Sequence, residues 1–115
     1  MPAPSQLSIA TSAVTRLVKE EASYHKELEH QLASIAKLEQ GNDEDENAEY
    51  VLRQERKAVE ETKAIFPQLK QKITDALARL EQKLEQASGD ETPAEEITKA
   101  KEAVAAAKTV VCEAS

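Results

Sequence analysis

Aromatic residues are scarce in this sequence of 115 residues, because Tyr24, Tyr50 and Phe66 make up only 3% of it and tryptophan is absent. Leucine, isoleucine, valine and alanine must therefore fill the core, and these side chains suit the narrow seams between helices. A substrate-sized pocket is not expected, since such pockets are usually lined with aromatic side chains. Nucleic acid is also a disfavoured partner, because phosphates need a basic face and bases usually stack on aromatic rings.

Cysteine and glycine are also rare. The single cysteine, Cys112, excludes an internal disulfide and a cysteine metal site, and we interpret it as a small apolar filler on the last helix. The two glycines, Gly41 and Gly89, lie in predicted turns, so the sequence has no glycine-rich phosphate loop. We therefore expect no catalytic residues, no cofactor and no bound metal, and the protein is not predicted to be an enzyme.

Long apolar runs are missing as well. No segment approaches the length of a membrane span, and the N-terminal residues lack the basic and apolar regions of a secretory signal. We expect a soluble, cytosolic protein that does not act on membranes.

The net charge of −7 is unevenly distributed along the chain. Asp43, Glu44, Asp45, Glu46 and Glu49 form an acidic stretch without Lys or Arg, whereas residues 53–85 contain eight basic and six acidic residues. Negative charge is favourable at the start of a helix, and we prefer this interpretation of the acidic turn over a contact for a basic partner.

The sequence is rich in apolar residues that recur every three or four positions in three segments, from Leu7 to Leu38, from Leu52 to Leu84 and from Ile97 to Val111. This spacing places each set on one face of an α-helix. We predict an all-α fold, an elongated antiparallel three-helix bundle with coiled-coil-like seams, formed by residues 1–115 as a single domain.

Capping signals give the expected bounds of these helices, which are about 5–40, 44–86 and 93–113. Ser5 is a suitable N-cap, Gly41 follows the first helix, and Thr92-Pro93 is a strong start signal for the third. Pro67 predicts a kink in helix 2. Because helix 3 spans only about 30 Å, we expect the distal parts of helices 1 and 2 to form a two-helix pair.

An antiparallel register about the acidic turn places Tyr24 near Phe66, Leu17 near Ile73, and Leu38 near Leu52. In the distal pair, the polar residues Gln31, Glu55 and Thr62 lie on the otherwise apolar faces of helices 1 and 2, which we call the apolar stripes. Such residues more often fix the register than bind a ligand, although an incompletely covered seam is also a place for a partner helix or a dimer contact.

Two histidines in helix 1 are candidates for metal binding or pH sensing. Glu27 and His30 have the spacing used in di-iron bundles, but those bundles need two such motifs and four helices, so we do not expect a metal here. We interpret His25 as a surface histidine flanking the apolar stripe, although pH sensing is an alternative.

Several motifs resemble those of the tubulin-specific chaperone A family, also called tubulin-binding cofactor A. They are Val14-Thr15-Arg16-Leu17-Val18-Lys19-Glu20-Glu21 and Tyr24-His25-Lys26-Glu27 in helix 1, with Gln54-Glu55 and Ile65-Phe66-Pro67 in helix 2. The size, the helix order and the short N-terminal tail also match, so the resemblance covers nearly the whole chain.

This resemblance implies a non-enzymatic, cytoplasmic and cytoskeleton-associated chaperone that binds and stabilises β-tubulin folding intermediates after their release from the chaperonin. It implies β-tubulin as the partner, with other tubulin-folding cofactors as further candidates, and a monomer or a homodimer. The alternative is a helical-bundle coiled-coil interaction module of a trafficking or scaffold complex.

The candidate partner-binding residues lie off the apolar stripes. Since the resemblance implies an acidic partner, a local basic face is needed on this acidic chain. The candidates in helix 2 are Arg53, Arg56, Lys57, Lys63, Lys70 and Lys72. The alternative is that these residues only balance nearby acidic groups such as Glu60, Glu61 and Asp75. The candidates in helix 1 are Arg16, Lys19, Glu20, Lys26 and Glu27.

Overall fold

The computed structural model describes residues 5–41, 46–87 and 92–113, and within these ranges it contains three α-helices and no β-strand. The helices are α1 (Gln6–Gln40), α2 (Glu46–Gln86) and α3 (Ala94–Glu113). The predicted all-α three-helix fold is confirmed. The predicted acidic turn at Asp43 to Asp45 lies outside the described residues, as does Gly89.

The start of α1 is capped by a side chain. The Ser5 hydroxyl oxygen accepts a hydrogen bond from the backbone N–H of Ser8 at 3.0 Å, which satisfies one of the free donors of the first turn. The same hydroxyl donates to the carboxylate of Glu96. Ser5 therefore connects the start of α1 to the first turn of α3.

The other described helix ends also follow local chemistry. The N–H of Gly41 donates to the Lys37 carbonyl at 3.1 Å, and Gly41 reaches this position without a positive φ. At the start of α3, the Pro93 carbonyl accepts the N–H groups of Glu96 and Ile97 at 3.1 and 3.3 Å. Two acidic residues, Glu95 and Glu96, occupy the first turn of α3, where the helix dipole favours negative charge.

The interior of α2 contains Pro67, and the helix is continuous through it. Proline removes one backbone donor from the helix, and its ring presses on the preceding turn. The predicted kink at this position stays a prediction. None of the three helices, over the residues described, combines the length and hydropathy that a membrane-spanning segment needs.

The chain divides into two compact units, the first made of residues 1–20 and 68–115 and the second of residues 21–67. The single-domain organisation stays a prediction. In the first unit all three helices pack around one core, which contains Leu7, Ala10, Val14, Ile73, Leu77, Leu80, Ala100, Ala103 and Ala107. Three alanines from α3 allow its backbone to approach the other two helices closely.

Within this core, Val14, Ile73 and Leu80 have no exposed surface. Leu17, which we predicted to lie near Ile73, is only partly buried and packs against the cluster. Truncation should therefore leave a larger cavity at Leu80 than at Leu17.

The second unit consists of two helical segments, and Val59 and Thr62 are its buried residues among those described. The Thr62 hydroxyl donates to the Ala58 carbonyl at 3.0 Å, which explains how a polar residue occupies a buried stripe position without an unpaired donor. The rings of His25 and Phe66 stack with their centroids 4.4 Å apart. The antiparallel register therefore lies close to the predicted one, with His25 providing the ring that stacks on Phe66.

Candidate interaction surface

The basic candidates of α2 belong to both units. Arg53, Arg56, Lys57 and Lys63 are exposed in the second unit, whereas Lys72 is exposed and Lys70 is half-buried in the first. The candidates from α1 are all exposed and are also divided, with Arg16, Lys19 and Glu20 in the first unit and Lys26 and Glu27 in the second. The candidates of each helix are therefore divided between the two units.

Two of the basic residues in the second unit already have acidic partners. A guanidinium nitrogen of Arg56 donates to the Glu39 carboxylate on α1 at 2.8 Å. The Lys63 ammonium lies 3.9 Å from Glu60, one turn before it on α2. For these two residues, the alternative that they balance neighbouring charges has structural support.

Arg53 and Lys57 differ from Arg56 and Lys63 in their contacts. Within the described ranges neither residue has an ion-pair or hydrogen-bond partner for its charged group, and both side chains are exposed. They are four positions apart on α2 and so lie on the same side of the helix. Among the described residues, neither charged group is engaged by an acidic side chain.

One side of the second unit combines apolar and paired charged residues, and we call it the His25 face. It is formed by His25, Leu32 and Glu39 on α1 and by Arg56, Lys63 and Phe66 on α2. His25, Leu32 and Glu39 recur every seven positions, which places them in one row along the helix. The ring stack and the Arg56–Glu39 pair join the two helices at separate points along this face.

The His25 face is ordered by its polar contacts and retains accessible apolar surface. His25 has a ring nitrogen 2.6 Å from the carboxylate of Glu21, whose side chain is only 13% exposed. Leu32 is 47% exposed although it lies in the same row. Leu32 thus adds accessible apolar surface to a face that also carries charged pairs.

The second feature of this unit is a groove that we call the Glu55 groove. It has a volume of about 540 Å³ and is lined by Ser23, Lys26, Glu27, His30, Gln31 and Ser34 of α1 and by Glu55 of α2. Since these α1 residues are spaced by three or four positions, the groove follows about three turns of the helix. Two of the predicted candidates, Lys26 and Glu27, are thus brought together with Glu55.

Gln31 in this groove has an unusual environment. Its side-chain carbonyl oxygen is buried and has no hydrogen-bond partner among the described residues. Leaving a buried acceptor unpaired costs about 1–3 kcal/mol relative to a paired one. Such a group needs an explanation in terms of structure or binding.

The remaining candidate groups are the Glu27 and His30 pair and the cysteine, Cys112. Over the described part of the chain, no three His, Cys, Asp or Glu side chains come together in a way that could hold a metal ion. Glu27 and His30 both line the Glu55 groove. Cys112 is exposed on α3, so our interpretation of it as an apolar filler is wrong, because the buried positions of α3 are occupied by alanine.

Sequence reasoning missed three elements of the second unit: the ring stack of His25, the exposed Leu32 and the Glu55 groove. The heptad spacing of His25, Leu32 and Glu39 was a detectable signal for the first two. Gln31 and Glu55 had marked this part of the seam as polar, but the width of the groove could not be predicted because it depends on how far apart the helices lie.

Comparison with known proteins places these features in context. A family model described as tubulin binding cofactor A matches residues 2–104 of the chain. The tubulin-specific chaperone A of Saccharomyces cerevisiae is 34% identical over 109 residues, which cover 95% of this chain and 96% of that protein. The tubulin-folding cofactor A of Arabidopsis thaliana is 36% identical over 101 residues, with 86% and 85% covered.

Solved structures give the same result. The structure of a β-tubulin binding post-chaperonin cofactor matches with a TM-score of 0.78 and 32% identity, covering 94% of this chain and 99% of that chain. The crystal structure of the A. thaliana tubulin folding cofactor A matches with a TM-score of 0.75 and 33% identity, covering 90% and 92%. The similarity therefore extends over both chains in sequence and in fold.

Proposed function

The chain belongs to the tubulin binding cofactor A family, and we propose that it is a tubulin-folding cofactor that binds and stabilises β-tubulin folding intermediates after chaperonin release. The family predicted from the helix motifs is confirmed. The observation that carries the proposal is the match to a β-tubulin binding post-chaperonin cofactor over 94% of this chain at 32% identity. The relatives support this function and do not support the alternative of a trafficking or scaffold module.

We further propose that the protein acts by binding and not by catalysis, in the cytoplasm and in association with the cytoskeletal pathway. The chaperone and cofactor names of its relatives support this role. A folding intermediate presents apolar side chains that the finished protein buries. A cofactor for such a partner needs accessible apolar surface on a rigid scaffold, which helical surfaces can provide without a substrate pocket.

The His25 face is our proposed contact for the apolar part of the partner. Leu32 offers exposed apolar surface, and the pairs Glu39–Arg56 and Glu60–Lys63 supply a polar rim whose charges are already compensated. Charged pairs at the rim favour a partner whose charges are complementary and disfavour a partner with like charges at the same places. They therefore contribute to specificity more than to affinity.

Arg53 and Lys57 are proposed to attract acidic groups of the partner. They have no partner for their charged groups among the described residues, and they follow one side of α2. Exposed charges of this kind mainly raise the association rate, and salt screens their effect. The remaining candidates Arg16, Lys19, Glu20, Lys70 and Lys72 form a separate proposed contact region on the first unit.

A direct binding experiment tests the function. The purified chain is mixed with unpolymerised β-tubulin, and the complex is separated by size-exclusion chromatography at low and moderate salt. We expect the two proteins to co-elute. The absence of a complex at both salt concentrations would contradict the proposal.

Variants then test the surface. Leu32→Glu should weaken capture more than Ile9→Glu, a comparison variant at a residue that is also exposed, at 57%, but belongs to the first unit. Arg53→Glu with Lys57→Glu should slow association most strongly at low salt. Circular dichroism confirms that each variant remains helical. Equal capture by the wild type and Leu32→Glu would rule out the His25 face.

A further inference from the structure

In the first unit, α3 packs against one side of the α1–α2 pair. Ser12 of α1 and Lys99 of α3 line the same depression on that side. The ammonium group of Lys108 on α3 lies 3.5 Å from the carboxylate of Glu81 on α2. Over the described residues, α3 therefore leaves the other side of the α1–α2 pair as an open surface.

Two rows of side chains border this open surface, which we call the Arg79 groove. Each row follows one side of its helix with a spacing of three or four positions and is about 20 Å long. The row on α1 contains Gln6, Ile9, Ala13, Arg16 and Glu20, and the row on α2 contains Lys72, Ala76, Arg79, Lys83 and Gln86. Gln6, Lys83 and Gln86 line one depression of about 370 Å³, which shows that the rows meet at this end. Since the helices are antiparallel, this register places Ala13 across from Ala76 and Arg79.

The Arg79 groove is basic although the whole chain has a net charge of −7. Its four cations are Arg16, Lys72, Arg79 and Lys83, and within the described ranges none of them has an ion-pair partner. The acidic residues on this side are Glu20 and Asp75, and the Asp75 carboxylate accepts a hydrogen bond from the Gln71 amide at 2.9 Å. Positive charge therefore exceeds negative charge along the groove.

The shape and apolar character of the groove are independent of its charge. Ala13 and Ala76 are half-buried in the middle of the two rows, and their small side chains let another helix approach closely. Ile9 adds an isoleucine that is 57% exposed, near one end. A groove between two helices with an apolar centre is a common site for an amphipathic helix.

We propose that the Arg79 groove binds an acidic amphipathic helix of the protein partner. Apolar residues of that helix pack on Ala13, Ala76 and Ile9, and its Asp and Glu side chains pair with the cations on both sides. A basic helix would face four like charges and is disfavoured. This inference rests on the proposed function for the identity of the partner, a β-tubulin folding intermediate, whereas the chemistry of the groove can be tested alone.

The first experiment uses a synthetic probe. The full-length ¹⁵N-labelled chain is titrated with a stapled helical peptide of about five turns, which carries leucine on one face and glutamate elsewhere. We expect saturable NMR shifts in the backbone amides of residues 6–20 and 72–86, and none of comparable size with a peptide that carries lysine in place of glutamate. Absent or delocalised shifts, or equal shifts with the lysine peptide, would overturn the proposal.

Charge variants locate the peptide on the chain. Arg79→Gln with Lys83→Gln should weaken peptide binding about tenfold. Lys99→Gln with Lys101→Gln removes the same amount of charge from exposed positions of α3 and should leave binding nearly unchanged. Equal effects of the two double variants would show that net charge alone attracts the peptide, which would overturn the groove.

Ala13→Gln tests the seating of the helix without a change in charge. The longer side chain fills the middle of the groove and should weaken peptide binding, while glutamine keeps a good helix propensity. Circular dichroism and the urea midpoint confirm that the variant is folded. Unchanged peptide binding by the folded variant would contradict docking in the groove.

Capture of β-tubulin gives an independent outcome. Arg79→Gln with Lys83→Gln should bind β-tubulin about tenfold more weakly than the Lys99→Gln with Lys101→Gln control. Equal binding of the two variants would overturn the groove as a partner site while leaving the proposed function intact. If the wild type itself does not bind β-tubulin, the proposed function is refuted, and the peptide titration alone decides the groove.

Discussion

Replacement of Leu80 by alanine tests how unevenly the chain is stabilised. Leu80 has no exposed surface and belongs to the core of the first unit. Truncation removes about three methyl or methylene groups worth about 0.8 kcal/mol each, or about 2.4 kcal/mol of transfer free energy. The cavity adds a further penalty because three helices cannot collapse freely around it, so we expect a total loss of about 3–4 kcal/mol.

The matched substitution in the second unit is Leu38→Ala. Leu38 is half-buried, and no buried cluster surrounds it among the described residues. Less transfer free energy is lost there, and solvent fills part of the space, so the expected loss is about 1 kcal/mol. Leu32→Ala, at a site that is 47% exposed, should cost still less.

Urea unfolding followed by circular dichroism at the helical minimum measures these differences. The free energy of unfolding comes from the midpoint and the slope, and an unchanged slope shows that the variants unfold in the same transition. Equal losses for Leu80→Ala and Leu38→Ala would refute the reasoning. That result would mean that the second unit is covered as fully as the first in solution. Formation of a dimer would have this effect, and sedimentation analysis would detect the dimer.

Three further experiments examine single contacts by the same unfolding assay. Ser5→Ala should cost about 1 kcal/mol because it removes the N-cap of α1, and an unchanged midpoint would show that the cap is dispensable. A double-mutant cycle between His25→Ala and Phe66→Ala should give a coupling of about 0.5–1.5 kcal/mol, and additive losses would argue against the ring stack in solution. Arg56→Ala should cost less than about 1 kcal/mol because its pair with Glu39 is exposed, and a much larger loss would mean that the pair is shielded from solvent.

Much of the fold followed from local patterns. The repeat of apolar residues every three or four positions predicted three helices, and Ser5 and Thr92-Pro93 marked where helices begin. Of the basic candidates of α2, Arg53, Arg56, Lys57, Lys63 and Lys72 are exposed, as expected for residues off the apolar face of a helix, whereas Lys70 is half-buried. Burial was less predictable, as Leu17 proved only partly covered.

The candidate site could be predicted less well from the sequence than the fold. The candidates Arg56 and Lys63 turned out to have acidic partners, whereas Arg53 and Lys57 did not have any within the described ranges. The Lys63–Glu60 pair lies within α2, and its spacing made it foreseeable. The Arg56–Glu39 pair was not foreseeable, because it depends on the neighbouring helix and on side-chain rotamers.

The sequence by itself determined which residues form helices, where the described helices begin and which face of each is apolar, because these properties depend on neighbours within about four positions. The tertiary structure decided that His25 stacks on Phe66, that the buried side-chain oxygen of Gln31 has no partner within the described ranges, and that Glu55 lines one groove with residues of α1. These contacts join residues 24 to 41 positions apart, and angstrom-scale changes in helix separation or rotation would break them, whereas the apolar periodicity would stay the same.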